Sequence, residues 1–244
     1  MRITTWNVLH RIHAVNWSEA PVVAYPDERD RVEGIAKRVA SWLAADVDVV
    51  CLQEVSGDQL AALRAHVTPS VAVLEHRLAR VPRPRAEDVD ALADPAEHLV
   101  VLARTGARAR EGHTFASDPG KGMLVVEVND GPVVICTHVS YGDRGPAQLA
   151  RLVASCHDDD RTIVVAGDFN APADVVQQAL GGGFALAKID GSTRVVTGGA
   201  SKTIDHVLVR PDRITSAAVL ETGDLSDHLP VTAELAIAIG DHDR

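Results

Sequence analysis

Several features that mark special classes of protein are scarce or missing in this sequence. Aromatic residues make up 3% of the 244 residues, and there are three cysteines. An odd, small number of cysteines, two of them inside apolar runs, indicates buried reduced thiols rather than a disulfide framework. No stretch of about 18 apolar residues occurs, and the N-terminal segment lacks the basic and apolar regions of a signal peptide. We therefore expect a cytoplasmic protein without disulfides or a membrane span.

Basic residues are also in deficit. The chain has 24 Lys and Arg against 34 Asp and Glu, for a net charge of −10. Because counterion release by basic surfaces drives non-specific nucleic-acid binding, this balance argues against tight binding of that kind. Acidic clusters can nevertheless recruit divalent cations, which reverse the local sign of the field. With 46% hydrophobic residues, the composition is that of an ordinary globular protein with a substantial core.

Short β-type runs dominate the chain, with helical periods between some of them. The pattern predicts strands over 2–8, 47–52, 70–76, 98–104, 123–129, 132–139, 161–168, 204–210 and 231–238. Helical spacing of apolar residues predicts helices over 30–45, 57–66, 146–157 and 172–180. The turn sequence at 129–131, Asn-Asp-Gly, predicts a hairpin. No boundary stands out, so residues 1–244 are expected to form a single α/β domain, with 77–97 as a surface insertion.

Polar side chains interrupt or follow several of the predicted strands. A buried charge is costly unless it is paired or bound to a metal, so these positions are informative. They are Asn7, Glu54, His138, Asp168 with Asn170, Asp205 with His206, and Asp227 with His228. Taken singly, each is also explained as a turn or helix cap. Together they indicate strand ends that converge on one edge of a sheet.

The residue types at these positions indicate a particular chemistry. Glu54, Asp227 and the side-chain carbonyl of Asn7 are hard oxygen donors, and neither cysteine nor a closely spaced histidine pair accompanies them. This favours Mg²⁺ or Mn²⁺ over zinc. Such an ion polarises a phosphoryl oxygen, and a histidine beside a carboxylate supplies a protonatable group near neutral pH.

The ordered motifs WN, LQEV, TH, GDFN, IDH and SDHLPV resemble the endonuclease/exonuclease/phosphatase superfamily over nearly the whole chain. The resemblance implies an α/β (α+β) fold: a four-layer α-β-β-α sandwich of two mainly antiparallel sheets packed face to face, with outer helices. It also implies a phosphoesterase that depends on Mg²⁺ (or Mn²⁺), with its site at one end of the sandwich.

The same resemblance assigns metal and water roles to matching side chains. Glu54 would be the principal metal ligand, with Asn7 and Asp227 near the same ion or a second one. Asp168 would orient or deprotonate the attacking water. Asn170 would hold that water or a phosphate oxygen.

Histidines take the remaining roles that the resemblance implies. His228, positioned by Asp205, would contact the scissile phosphate and stabilise the pentacovalent transition state. His138 would be a second imidazole at the phosphate or near the leaving oxygen. His206 is expected to bridge or pack rather than react.

The chain departs from the family pattern before the fourth predicted strand. Relatives carry a glycine-rich stretch there with a tyrosine or arginine that reaches the phosphate, whereas this sequence has Glu97-His98. Lys121 or an arginine of 77–85 is a candidate substitute, and solvated basic side chains are the competing explanation. In the predicted loop over 9–31, Trp17 and Tyr25 either shape a pocket that stacks a base or anchor the loop to the core.

Two substrate classes compete within this reaction type. A small phosphorylated metabolite or nucleotide fits the acidic balance, and we favour it. A DNA or RNA nuclease, similar to the deadenylase-like branch, is the alternative, because a local basic patch such as Arg77, Arg80, Arg83 and Arg85 can suffice. A non-catalytic scaffold of the same fold is the third hypothesis, disfavoured because every matched position holds an appropriate residue.

Overall fold

A computed structural model describes residues 1–85, 92–104, 106–129, 131–156, 161–181, 183–196, 199–211 and 213–236. The strands in these ranges are β1 Arg2–Asn7, β2 Val49–Ser56, β3 Ala72–Arg77, β4 Glu97–Ala103, β5 Ala107–Thr114, β6 Gly122–Val128, β7 Val133–His138, β8 Ile163–Asp168, β9 Ala185–Leu186, β10 Asp205–Arg210, β11 Arg213–Val219 and β12 Val231–Ala236. The α-helices are α1 Arg11–Trp17, α2 Ala20–Ala24, α3 Glu28–Ala45, α4 Gly57–His66, α5 Gly145–Ser155 and α6 Ala173–Leu180.

The strands form two six-stranded sheets. The first has the order β11-β12-β1-β2-β4-β3, and the second has the order β5-β6-β7-β8-β10-β9. Within the described strands, the only parallel pairs are central ones, β1 with β2 and β7 with β8. The remaining neighbours are antiparallel, so both sheets are mixed but mainly antiparallel, as predicted.

Apolar residues from both sheets meet in a core between them. This core includes Ile3, Val49, Val101, Val126, Val164 and Val207. A second cluster lies between the first sheet and helices α3 and α4, and a third lies between the second sheet and helices α5 and α6. Layers of helix, sheet, sheet and helix follow from these three clusters, and the predicted four-layer sandwich is confirmed.

Local sequence explains where the principal helices begin and which face they bury. In α3, Asp27 caps the N-terminus by accepting the backbone N–H of Arg29 at 2.9 Å. Ile35, Val39 and Leu43, spaced by four residues, form its buried stripe. In α4, Ser56 and Gln59 form a reciprocal capping box.

All nine predicted strands and four predicted helices correspond to elements of the structure. The predicted loop over 9–31 is wrong in part, because α1 and α2 lie within it. Strands β5, β9 and β11 were not predicted. The predicted hairpin pairs β6 with β7. Parts of three predicted segments lie outside the described residues: Asp130 in the hairpin turn, 86–91 within the 77–97 segment, and 237–238 at the end of the last strand. No helix in the described part of the chain is both long and apolar enough to cross a membrane.

Candidate active site

Polar side chains from both sheets meet at one end of the sandwich. Asn7 ends β1 and Glu54 lies in β2, the parallel pair of the first sheet. His138 and Asp168 end β7 and β8, the parallel pair of the second. Because parallel strands end on the same side of a sheet, each pair presents its residues at one edge. Asp205 begins β10 directly opposite Asp168, so it reaches the same edge.

An irregularity in β2 sets the direction of Glu54. The pairing register of β2 with β4 shifts between Leu52 and Val55, and Glu54 adopts the left-handed conformation, with a φ of 58°. Bulges of this kind re-aim side chains, and a non-glycine residue held at such a φ costs of order 1–3 kcal/mol. The carboxylate accepts the backbone N–H of His10 at 3.2 Å.

Cationic neighbours keep Glu54 ionised. Burial alone would raise the pKa of this carboxyl, but His13, Lys121 and His138 together lower it well below its ordinary value. Its Oε1 lies 3.8 Å from Nε2 of His138 and 4.0 Å from Nζ of Lys121. A full negative charge is therefore held inside the protein, as a metal-ligating carboxylate requires.

Asp168 is fixed by hydrogen bonds to both of its oxygens. Asn7 Nδ2 donates to Oδ2 at 3.1 Å, which links the two sheets. The backbone N–H of Asn170, itself at a φ of 49°, donates to Oδ1 at 2.9 Å. Burial opposes ionisation, but His138 and His228 outweigh it and lower the pKa of Asp168 below its usual range.

Gly167 lets β8 approach β7 closely just before Asp168. A Cβ atom at this position would lie 1.9 Å from the carbonyl oxygen of Thr137 in the neighbouring strand. No side chain fits there without moving one backbone away from the other. The glycine of the GDFN motif therefore sets the spacing between His138 and Asp168.

We expect Gly167→Ala to lower the free energy of unfolding by about 2 kcal/mol or more, because the new methyl group must displace the Thr137 carbonyl. Urea unfolding measures this loss. Gly181→Ala is the control for backbone strain: its φ of 83° and ψ of 174° suit glycine, but a Cβ there would meet no atom within 4 Å, so it carries strain without a clash and should cost less than Gly167→Ala. Equal losses in the two variants would contradict the steric explanation.

His138 is buried between two carboxylates and a lysine. Its Nε2 lies 3.2 Å from Oδ2 of Asp168. Nζ of Lys121 contacts the ring and lies 3.2 Å from its Nδ1. Lys121, a candidate substitute for the missing phosphate contact, is thus placed beside the predicted site residues.

His228 and Asp205 form a buried dyad. Nδ1 of His228 lies 2.9 and 3.1 Å from the two oxygens of Asp205. The dyad is held by its backbone, since Asp205 N–H donates to Thr193 Oγ1 and His228 N–H donates to Ser226 Oγ. Burial alone would lower the pKa of His228, but Asp205 and Asp168 outweigh it and raise the pKa to about 10. The imidazole is therefore cationic at neutral pH.

Asp227 faces the same site, and its partner is an arginine that the sequence analysis missed. Nη2 of Arg194 lies 3.2 Å from Oδ2 of Asp227 and 3.2 Å from Oε1 of Glu19. Burial raises the pKa of Asp227, and the carboxylates of Glu54 and Asp168 add to that effect. Arg194 comes from the connection between β9 and β10, where no motif marks it.

These side chains line a single cavity of about 530 Å³, which we call the catalytic cavity. Its lining includes Asn170, four carboxylates and three imidazoles: Glu19, Glu54, Asp168, Asp227, His13, His138 and His228. Four cationic side chains also line it: Arg80, Lys121, Arg194 and Lys202. Trp17 and Tyr141 also line it and are 63% and 75% exposed. Carboxylates surrounded by cations suit a metal ion together with an anionic substrate.

One cluster among the described residues has ligand atoms close enough together for a divalent ion. Asp168, Asp205 and His228 offer ligand atoms that all lie within 4.8 Å of one another. His228, however, is cationic and already bonded to Asp205, and an imidazolium has no lone pair for a metal. Glu54 and Asp227, the ligands expected from the sequence, line the same cavity, and Asn7 is buried.

His13 is a second cavity residue that the sequence analysis did not assign to the site. It lies in the unpredicted helix α1, and its Nε2 is 3.0 Å from Oε2 of the fully buried Glu97. Burial would lower the pKa of His13, but Glu54 and Glu97 outweigh it and raise the pKa. The sequence does show two histidines, His10 and His13, close together in the segment 9–31, but no motif marks either of them.

His206 lies apart from these groups. Its Nε2 bonds the carbonyl oxygen of Ala171 at 2.9 Å, and its ring packs on Phe169 with centroids 5.6 Å apart. Burial lowers its pKa. These contacts agree with the packing role that was expected.

The sandwich and its cavity of carboxylates, imidazoles and amides define a metal-dependent phosphoesterase. The model of the Endonuclease/Exonuclease/phosphatase family matches residues 4–228. The chain therefore belongs to this family, as the motifs indicated. No curated protein matches the sequence.

Solved structures with the same fold carry different activities in their names. A mannosyl-6-phosphatase from Bacteroides thetaiotaomicron VPI-5482 is 18% identical, with a TM-score of 0.67 over 97% of this chain and 100% of that one. D. rerio TDP2 with a single-strand DNA product is 15% identical, with a TM-score of 0.67 over 96% and 98%. An endonuclease/exonuclease/phosphatase from Bacteroides vulgatus is 17% identical, with a TM-score of 0.69 over 97% and 98%. At these identities the likeness establishes the fold alone.

Proposed function

We propose that this protein is a Mg²⁺-dependent hydrolase of phosphate esters that acts on a small phosphorylated molecule or a nucleotide. One observation carries the proposal. One small cavity is lined by Glu54, Asp168 and His228, which are far apart in the sequence. Their shifted pKa values keep both carboxylates anionic and the imidazole cationic. Two carboxylates and an imidazolium in one cavity can activate a water molecule for attack on phosphorus and stabilise the charge that develops on the phosphate.

The donor chemistry fits a hard divalent cation. Glu54 and Asp227 would hold the ion, with the side-chain oxygen of Asn7 nearby, and all three donors are oxygens. The clustered carboxylates, which disfavour ionisation of buried Asp227, supply the negative charge that such a cation neutralises. When bound, the ion offsets charge on the phosphate. Mg²⁺ is preferred over Mn²⁺ as the more common partner of carboxylate and phosphate oxygens.

The side chains around the ion then have distinct tasks. Asp168, anionic and fixed by Asn7 and Asn170, orients the attacking water or accepts its proton. Cationic His228 donates through Nε2 to a phosphate oxygen and stabilises the pentacovalent transition state, and Asp205 holds the imidazole in place. Asn170 binds the water or a phosphate oxygen.

His138 also lies beside Asp168, with Lys121 against its ring, and the two offer nitrogen donors to the phosphate or to the leaving oxygen. Water attacks phosphorus in line with the departing alcohol, so one P–O bond forms as the other breaks. The alcohol receives a proton and the phosphate product leaves.

The size of the catalytic cavity favours a small substrate. Its volume of about 530 Å³ lies within the range of small-molecule sites, roughly 300–1,000 Å³. A short nucleic acid is the second candidate, because arginines adjoin the cavity in a protein whose net charge is −10.

A metal-supplemented substrate panel tests this function. We expect hydrolysis of at least one member of a set containing a sugar phosphate, nucleotides, single-stranded DNA, RNA and a bis-aryl phosphodiester. Excess EDTA should abolish it, and Mg²⁺ or Mn²⁺ should restore it while the fold, followed by circular dichroism, stays the same. Full turnover in EDTA would contradict the metal role, and no turnover of any substrate with metal would favour the scaffold hypothesis.

The organisation and location of the chain also belong to this proposal. We infer that residues 1–244 act as one domain, since β1 near the start of the chain pairs with β12 near its end. We also infer a reducing, cytoplasmic environment, since Cys51, Cys136 and Cys156 are all unpaired and buried.

A further inference from the structure

A second cavity opens beside the catalytic cavity. It has a volume of about 690 Å³, and we call it the basic groove, defined by Asn16, Trp17, Arg80, Arg83 and Arg85. His13, Trp17 and Arg80 line both cavities. A molecule seated at the catalytic carboxylates can therefore extend into the groove past these shared side chains.

The charge of the groove is opposite to that of the whole protein. Its lining has three arginines, and none of the described residues that line it is an aspartate or a glutamate. Neither Arg83 nor Arg85 has an ion-pair partner among the described residues. Guanidinium groups that have no ion-pair partner in the described part of the chain favour an anion in the cavity, and a phosphate accepts two parallel hydrogen bonds from each.

The backbone that carries these arginines is anchored. The side-chain amide of Asn16 donates to the carbonyl oxygen of Arg83 at 3.0 Å and accepts the backbone N–H of Arg85 at 2.8 Å. Asn16 lies in α1, the helix that also carries His13 and Trp17. One side chain therefore fixes the segment 83–85 against the edge of the catalytic cavity.

The arginines at the two ends of the groove are positioned as well. Arg80 is held by Asp118, whose Oδ1 lies 3.1 Å from its Nη1. Arg85 stacks over the ring of Trp17, with Cζ 4.3 Å from the ring centroid. A stacked guanidinium keeps its N–H edge available for a phosphate, and the stack restricts its motion. The groove therefore has prearranged donors rather than loose surface charges.

We propose that the basic groove binds a second phosphate group of the substrate, next to the phosphate that is hydrolysed. This inference rests on the proposed function, because it assigns the catalytic cavity to the first phosphate. The substrate class is then an organic molecule with two phosphate groups, either a bisphosphorylated nucleotide or a short chain joined by phosphodiester bonds.

The test compares the double variant Arg83→Ala/Arg85→Ala with Lys37→Ala/Arg38→Ala, which removes the same charge from the exposed side of α3. The substrates are a nucleoside monophosphate, a nucleoside 3′,5′-bisphosphate and a 5′-phosphorylated dinucleotide. For each variant, kcat/KM for a two-phosphate substrate is divided by kcat/KM for the monophosphate. We expect this ratio to be about tenfold lower in the groove variant, mainly because KM for the two-phosphate substrate rises. The α3 variant should leave the ratio unchanged.

The bisphosphate and the dinucleotide distinguish the two possible sources of the second phosphate. A reduced ratio for the bisphosphate alone indicates a terminal phosphate in the groove, and a reduced ratio for the dinucleotide indicates a diester-linked one. Ratios that do not differ between the two variants, for either substrate, overturn the proposal.

A binding measurement separates this proposal from the proposed function. With excess EDTA present, calorimetric titration with the dinucleotide and the bisphosphate should give a dissociation constant about tenfold weaker in the groove variant than in the α3 variant for at least one of them. That result without any hydrolysis under metal would retain the groove and reject the phosphoesterase function. Hydrolysis with equal dissociation constants would retain the function and reject the groove.

Discussion

Replacing His228 by alanine is expected to lower turnover by at least about a hundredfold, the loss typical of removing one positioned donor to transition-state charge. The imidazole is buried and cationic, with its Nε2 3.9 Å from Oδ2 of Asp168. Its contribution is made to the charge that develops on the phosphate, so kcat should fall with little change in KM. Steady-state kinetics on the best substrate of the panel measures the effect.

A variant of Asp205 provides a second test of the role of His228. Asp205→Asn retains the shape of the side chain but removes the charge that holds the imidazolium, so it should also lower kcat. If Asp205 acts only through His228, the double variant Asp205→Asn/His228→Ala will be no slower than His228→Ala alone. Additive losses would show that Asp205 has a separate role, and a near-normal rate in His228→Ala would remove the dyad from the mechanism.

Glu54→Gln is expected to have an effect of similar size through the metal. The amide retains the approximate volume of the carboxylate, whereas the negative charge is lost. We expect turnover to fall by at least about a hundredfold and the metal concentration for half-maximal activity to rise by about tenfold or more. A titration of activity against Mg²⁺ measures both quantities.

The matched control is Glu234→Gln in β12, a half-exposed carboxylate of the first sheet. It removes the same charge far along the strand from the catalytic end, so its metal titration should coincide with that of the unmodified protein. Coincident titrations for Glu54→Gln as well would mean that Glu54 is not a ligand. Circular dichroism checks that both variants are folded.

Strands with strong apolar character could be predicted from sequence, and weaker ones could not. β8, with the sequence IVVAGD, is buried throughout and stands out by composition. β5 and β11 are largely exposed, and their sequences ARAREGHT and RITSAAV show little apolar alternation. Their strand conformation comes from pairing with β6 and β12. Edge strands of this kind are specified by their neighbours more than by their own residues.

Some residues of the candidate site could likewise be predicted from the sequence, and others could not. Residues at strand ends, such as Asn7 and Asp168, could be anticipated because a predicted strand precedes each of them. His13 and Arg194 could not, since each reaches the cavity from a connecting segment and is held by a partner distant in sequence, Glu97 or Asp227. Long-range pairings of this type depend on how the sheets and helices pack, which local sequence does not encode.

The bond between Ser226 Oγ and the backbone oxygen of Asn7, 2.7 Å long, joins positions separated by 219 residues. Trp6 bonds the carbonyl of His228 across a similar interval. During translation, Asn7 at the end of β1 can therefore acquire the neighbouring Asp227 and His228 only after the segment that carries them has been synthesised. A nascent chain extended only as far as β10 would thus carry no assembled phosphoesterase site, because these long-range contacts would not yet exist.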